Sequence, residues 1–376
     1  MNKDSATSLL ADLIAIPSMN PMGRRSGNTY SERNVAEFLA GVFKHHHVDT
    51  ELYEALPGRP NLEAFVEVGA ENTLLLEAHL DTVHADNMTV KPFGAEIRDG
   101  RMYGRGACDT KGSIAAFCTA VLALLDQGTK LNCNVRFLFV SDEEYTFAGA
   151  RAAVEKGLKA TFGIAGEPTG LSIVRAHKGV TRWRVRTTGI SAHAAYPERG
   201  RNAIYAMAPV IEALSKHANE LAGRKPHPVL GSPSLSVGVI EGGQAVNMVP
   251  DACWVEVDRR SLPGESTEEI LAPIEKLLKA SGNATMDPPY LSVAGMDIPE
   301  ESEIVRSLGR AVKEATGTVS IETAQYATDA GVFNASGIPT AVFGPGDIAQ
   351  AHTDSEYIEL EQLDAAIRIL QTLIAA

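Results

Sequence analysis

The stretch YGRGACDTKGS, residues 103–113, resembles a nucleotide-binding loop at first reading. It carries glycines at 104, 106 and 112, a lysine at 111, and an apolar helical run behind it. Two fingerprints nevertheless fail. The dinucleotide pattern G-x-G-x-x-G needs its third glycine where Asp109 stands, and Asp109 puts a negative charge where pyrophosphate would lie. The phosphate-loop pattern needs G-K-[ST], which is absent. A carboxylate at the mouth of a glycine-rich turn therefore calls for another chemistry.

The rest of the chain narrows the choice. At 376 residues it is long for one core, so two domains are expected. The balance of 34 basic and 47 acidic residues gives a net charge of −13, which argues against nucleic acid or an anionic membrane as partner. Cys108, Cys118, Cys133 and Cys253 form no C-x-x-C and no disulfide framework, so they read as buried reduced thiols. The opening MNKDSATSLLADLIAIPSMN lacks a basic start and is broken by Asp12, so it reads as an amphipathic helix rather than a signal peptide. No run approaches the roughly 20 apolar residues of a membrane span. A cytoplasmic location is expected.

The first half alternates strand and helix patterns. SERNVAEFLAGVFKHH has helical spacing behind Ser31 as N-cap. NLEAFVEV, TLLLEAHL, CNVRFLFVSD and ATFGIAG read as core strands, and IAAFCTAVLALLDQG and AGARAAVEKG as helices. Asp99-Gly100 within EIRDGRMYG signals a hairpin. The expectation is an α/β fold: a mixed, mostly parallel sheet flanked by helices. Between about residues 179 and 288 the order becomes β-α-β-β-α-β, an inserted ferredoxin-like α+β domain. The expected division is therefore 1–178, 179–288 and 289–376, with the outer segments forming one domain.

Ligands in such sheets gather at the carboxyl ends of the strands. His79 and Asp81 follow one core strand, Glu143 and Glu144 a second, Glu167 a third, and His352 a fourth. Asp109 opens the buried helix. Any one of these alone would read as surface or as a structural histidine. Together they bring two histidines and five carboxylates to one rim, a charge that divalent cations would neutralise, and His with Asp/Glu is a zinc-type ligand set. The run His45-His46-His47 points in divergent directions and reads as solvated surface. His84, His177, His217 and His227 also read as structural. G-x-S-x-G and H-E-x-x-H are absent, and the carboxylates around Cys108 would raise its pKa rather than activate it.

At this point six ordered motifs carry a resemblance: HLDTV, GRGACDTKG, SDEE, GEPTG, GISAHAAYPERG and GPGDIAQAHTDSEY. They resemble the two-zinc metallopeptidase family that holds acetylornithine deacetylase, succinyl-diaminopimelate desuccinylase, aminoacylase-1 and glutamate carboxypeptidases, with the acetylornithine deacetylase branch nearest. The resemblance implies two divalent metal ions, zinc or else cobalt or manganese. Asp109 would bridge them, His79 and Glu167 would complete one site, and Glu144 and His352 the other. Asp81 would orient the His79 imidazole, and Glu143 would be the general base for a metal-bridging hydroxide that attacks an amide carbonyl. The inserted domain would act as lid and homodimer contact, with His193 donating to the oxyanion of a neighbouring active site. Asn247 and Arg260 would hold the substrate carboxylate, Arg260 being preferred to Arg259 on strand register. Asp329 is a candidate either for a side-chain amine or for a helix N-terminus.

The implied activity removes an acetyl or succinyl group from an N-acyl amino acid. A dipeptidase or carboxypeptidase of the same family shares this chemistry and is the first alternative, short peptides then being the substrates. A metal-stabilised binding protein without catalysis is the second, and the intact Glu143 argues against it.

Overall fold

The computed structural model describes residues 3–23, 25–282 and 284–376. The chain divides into two compact units, one of residues 1–175, 298–322 and 328–376, the other of residues 176–297 and 323–327. The second unit thus ends near 297 instead of 288. The strand Leu291–Val293 is the reason: it pairs antiparallel with Gly179–Thr188, Leu291 facing Arg182, and so extends the inserted sheet.

In the first unit the strands Asn134–Val140, Thr73–His79, Phe162–Ala165 and Thr340–Val342 lie side by side and parallel. Antiparallel strands flank them: Arg59–Val66 and Thr50–Leu56 beyond Asn134–Val140, and Ile173–His177 beyond Thr340–Val342, where Val342 pairs with Val174. Thr73–His79 is buried along nearly its whole length, as an apolar run covered on both faces should be. The helix Lys111–Asp126 is apolar all round, and every residue from Lys111 to Leu124 is buried. Asp109 is therefore delivered by the start of the most deeply buried helix of this unit. Asp99 and Gly100 form the tip of the expected hairpin, with φ 49° and 76°.

The opening helix spans Lys3–Ala15 and buries Leu10, Leu13 and Ile14; Met1 and Asn2 of that stretch lie outside the described residues. Ser31 is not the N-cap of Arg33–His45. Glu32 occupies that position, its side chain caps nothing, and Ser31 Oγ accepts from Arg33 N two residues on. Glu32 is instead committed to a buried ion pair with Arg59.

The second unit is an antiparallel sheet in the order Ser234–Gly242, Ala252–Ser261, Gly179–Thr188, Ala284–Met286. The helices Ala203–Ala222 and Thr267–Ser281 complete the β-α-β-β-α-β order. Along Ala252–Ser261 alternate residues are buried, with Cys253, Val255 and Val257 in the unit's own core cluster. Ser266 and Glu269 form a reciprocal capping box at the start of Thr267–Ser281.

Candidate active site

The strand ends of the first unit bring the expected ligands together. His79 Nε2 lies 3.0 Å from Asp109 Oδ1 and 3.9 Å from Glu167 Oε1. His352 Nε2 lies 3.2 Å from Asp109 Oδ2 and 3.1 Å from Glu144 Oε2. Two groups result, His79–Asp109–Glu167 and Asp109–Glu144–His352, each with its ligand atoms within 4.8 Å of one another. Asp109 belongs to both and turns one oxygen to each. Donors about 2.0–2.2 Å from a tetrahedral zinc ion sit roughly 3.5 Å apart, so these residues fit two divalent cations that share Asp109.

The local backbone explains the glycines. Gly106 has φ 83°, and a Cβ there would lie 2.9 Å from Thr82 Cγ2. A Cβ on Gly112 would lie 2.7 Å from the Ala107 carbonyl oxygen. The turn needs both glycines to wind tightly around Asp109.

Electrostatics agree with a cation site. Among the described residues the carboxylates of Asp109, Glu144 and Glu167 pair with histidine rings and with no lysine or arginine. Burial disfavours an ionised Asp109, yet hydrogen bonds from His352 and His79 hold its carboxyl below the usual range. Hydrogen bonds to Asp109 and Glu144 push His352 up to about 10. Burial raises Glu144, Glu167 and Glu143, the last two well above ordinary carboxylates. Cations bound by such a donor set compete with protons for the histidine rings and carboxylates.

Asp81 departs from expectation. The His79 ring atom Nδ1 lies 2.9 Å from the backbone oxygen of Asp81, whereas the nearer carboxylate oxygen is 3.7 Å away. The Asp81 side chain instead accepts from the backbone N–H groups of Glu143, at 3.2 Å, and Glu144, at 3.1 Å. It fixes the turn that carries Glu143 and Glu144, and its main chain orients the imidazole. Glu143 belongs to neither ligand group.

Glu356 was not singled out from sequence, although it lies within the motif GPGDIAQAHTDSEY. It is fully buried, and Oε1 accepts from Cys108 N at 2.9 Å and Asp109 N at 3.0 Å. Oε2 accepts from Arg105 Nη1 at 2.7 Å and Gly106 N at 3.1 Å. Arg105 Nη2 also donates to the Thr353 carbonyl, beside His352. The Arg105–Glu356 pair therefore ties the loop of Asp109 to the loop of His352.

Asp329 stands at the helix N-terminus foreseen as one of its two roles. It precedes the short helix Ala330–Ala335 without capping it. At 1% exposure it lies too deep to line an open side-chain pocket. Its carboxylate meets no fixed hydrogen-bond donor, and burial pushes it up to about 7 beside the Glu77 carboxyl, which burial also raises well above the usual range.

The inserted unit holds the remaining candidates. His193 is exposed, and its Nδ1 accepts from Ala195 N at 3.0 Å, so a neutral ring carries its proton on Nε2. Asn247 is exposed, in the loop before Met248–Val249. Arg259 is buried on Glu265, whereas Arg260 is half-buried on the opposite sheet face, its Nε 2.8 Å from Asp258 Oδ1. The two arginines thus face opposite sides of the strand, as strand register requires.

The other histidines make local contacts, as with His46 on Asp126, His84 on the Asn20 carbonyl, His217 on Glu220 and His227 on Asp297. Burial holds His177 neutral, at about 4. The four cysteines are buried and free, and burial first, then Glu356 and Asp109, raise Cys108 well above an ordinary thiol.

A sheet rim bearing paired cation sites that share a carboxylate, with a free carboxylate beside them, defines a metal-dependent hydrolase. Residues 75–376 match the description of peptidase family M20/M25/M40, and the chain belongs to that family. It is 32% identical to an acetylornithine deacetylase of Pasteurella multocida over 375 residues, covering 96% of this chain and 95% of that one. Among solved structures, an M20 family metallo-carboxypeptidase of Sulfolobus solfataricus superposes with a TM-score of 0.84 at 22% identity, covering 99% and 98% of the two chains. A dinuclear metal binding peptidase of the M20 family from Bacillus subtilis has a TM-score of 0.67 at 18% identity, covering 99% and 97%. The chain is thus a metal-dependent hydrolase of amide bonds. Among the described residues no helix is long and apolar enough to cross a membrane.

Proposed function

We propose that the chain removes a short acyl group from an N-acyl amino acid, as its acetylornithine deacetylase relative is named for doing. The observation that carries this reading is Glu143, a carboxylate outside both ligand groups yet adjacent to the ligand Glu144. His79, Asp109 and Glu167 would hold one divalent cation, and Asp109, Glu144 and His352 a second. Such cations, zinc being the first choice for this donor set, supply Lewis acidity and lower the pKa of water. Glu143 takes the proton of the attacking water and returns it to the leaving amine. A hydrolysis screen over N-acetyl amino acids, N-succinyl amino acids and dipeptides, with zinc or cobalt added, tests the reading. Turnover confined to dipeptides would replace it with a peptidase, and none on any amide would remove it.

The substrate carboxylate is taken to lie against Arg260 and Asn247. Arg260→Ala should lower kcat/KM on free-acid substrates about 10- to 100-fold, mainly through KM, since Asp258 already shares the guanidinium. An amidated substrate hydrolysed as fast as the free acid by the wild type would rule the contact out.

The inserted unit is taken to form a homodimer through the strand Ser234–Gly242. That strand lies at the sheet edge and exposes Val239 and Ile240, at 42% and 57%. His193 would then donate from Nε2 to the oxyanion in the partner's site. His193→Ala should keep its metals and KM and lose kcat by about 10²–10³. Mixing it with inactive Glu143→Ala should restore activity through hybrid dimers. Proven subunit exchange without recovery, or an active monomer, would exclude the role across the dimer.

A further inference from the structure

Behind Glu143 runs a buried polar chain with no member in either metal group. It begins at Asp142, whose φ of 70° is a left-handed conformation that a non-glycine residue holds at a cost. Three contacts fix it there. Arg59 Nη1 donates to Asp142 Oδ1 at 2.7 Å, Thr146 Oγ1 donates to Oδ2, and the Asp142 N–H donates to Glu32 Oε1 at 3.2 Å. Glu32 in turn grips the Arg59 guanidinium, with Nε 2.8 Å from Oε2.

Asn20 joins this cluster to the active site. Its amide nitrogen donates to Asp142 Oδ1 at 3.0 Å and to Asp81 Oδ2 at 2.7 Å. Its own Oδ1 accepts from Met22 N at 2.8 Å, and its N–H donates to the Thr82 carbonyl at 2.8 Å, so the residue is held at both ends. The Asp81 carboxylate that it steadies is the acceptor for the N–H groups of Glu143 and Glu144. Asn20, Glu32 and Asp81 are fully buried, and Asp142 and Arg59 are 1% and 8% exposed. Any shift along the chain would leave a buried polar group unpaired, which gives the network its stiffness.

We propose that Asn20 and Arg59 are positioning residues for Glu143. The chain Arg59–Asp142–Asn20–Asp81 sets the turn at residues 142–144, and that turn sends Glu143 and Glu144 to different tasks. Neither Asn20 nor Arg59 touches the reacting atoms. The inference rests on Glu143 being the base.

The test is Asn20→Ala, which deletes both donations and leaves Arg59 in place. With two metals counted by elemental analysis, kcat should fall about 10- to 100-fold, the scale of a small misplacement, while KM stays within about threefold. In the metal-free protein the amides of Glu143 and Glu144 should exchange with solvent faster than in the wild type, while those of the helix Lys111–Asp126 are unchanged. A kcat within about twofold of wild type would overturn the inference. So would unaltered exchange at 143 and 144, or a lost kcat fully explained by lost metal. Should Asn20→Ala fail to fold, Arg59→Lys keeps the charge and gives up the fork. The same loss in kcat at constant KM and metal content is then expected, and an unchanged kcat overturns the proposal. A wild type that hydrolyses no amide would count against the hydrolase reading alone, because the exchange comparison still decides whether the chain holds the turn.

Discussion

Glu143→Gln is expected to keep two bound metals and to lose kcat by about 10²–10⁴, the contribution of a well-placed general base. Glutamine matches glutamate in size, so packing around residue 143 should survive. The backbone N–H of residue 143 still donates to Asp81, and the ligand Glu144 keeps its own bond to the same carboxylate. What disappears is the ability to accept a proton from water and return it to the leaving amine. KM should change little, because Glu143 acts in the transition state and not in holding the substrate. Metal analysis of the purified variant, followed by turnover on an N-acetyl amino acid, measures both halves. If both metals were lost while the fold stayed intact, Glu143 would be a ligand and the division of labour with Glu144 would be wrong.

The convergence of the candidate metal ligands was legible because each follows a core strand or opens the buried helix, and such positions converge in an open α/β sheet. Periodicity locates strand ends to within a few residues, and His79, Glu144, Glu167 and His352 need no finer placement. Asp81 shows where that resolution stops. Its identity was clear, but whether its carboxylate or its carbonyl meets His79 is a matter of one side-chain rotation. The carboxylate turns instead to two N–H groups from a segment 62 and 63 residues away.

Asn20, Glu32, Arg59 and Glu356 were missed for a related reason. A single arginine or glutamate between apolar residues reads as surface, and nothing local distinguishes one that is buried by a partner 83 residues on or 248 residues back. Ser31 was read as a cap by the rule that serine precedes helices, while Glu32 took the position because Arg59 holds its side chain inward. Asp329 had a helix-start pattern, but burial beside Glu77 decided its state. The end of the inserted unit was misplaced because MDPPYLSVAGMDIP contains three prolines and alternates poorly, which hides the three-residue strand Leu291–Val293.

Asp109→Ala should cost the chain both metals, and with them all turnover. Asp109 is the one residue common to the two ligand groups, with one carboxylate oxygen near His79 and the other near His352. Without it each group retains two side-chain ligands, His79 with Glu167 and Glu144 with His352, fewer than the three that catalytic zinc sites keep. The turn itself should persist. Glu356 still accepts from the backbone N–H of residue 109, and Thr110 still bonds the Gly166 carbonyl. Loss of metal would thus be chemical in origin and not a consequence of unfolding. Melting curves separate the two. A ligand that binds only the folded state at 100 times its dissociation constant stabilises it by about 2.7 kcal/mol, so added zinc should raise the wild-type melting temperature and leave that of Asp109→Ala unmoved. Chelation of the wild type should reproduce the inactive state reversibly, whereas excess zinc should fail to rescue the variant. Two tightly bound metals in Asp109→Ala would show that the bridge lies elsewhere, and the glycine-rich turn would then need a different explanation.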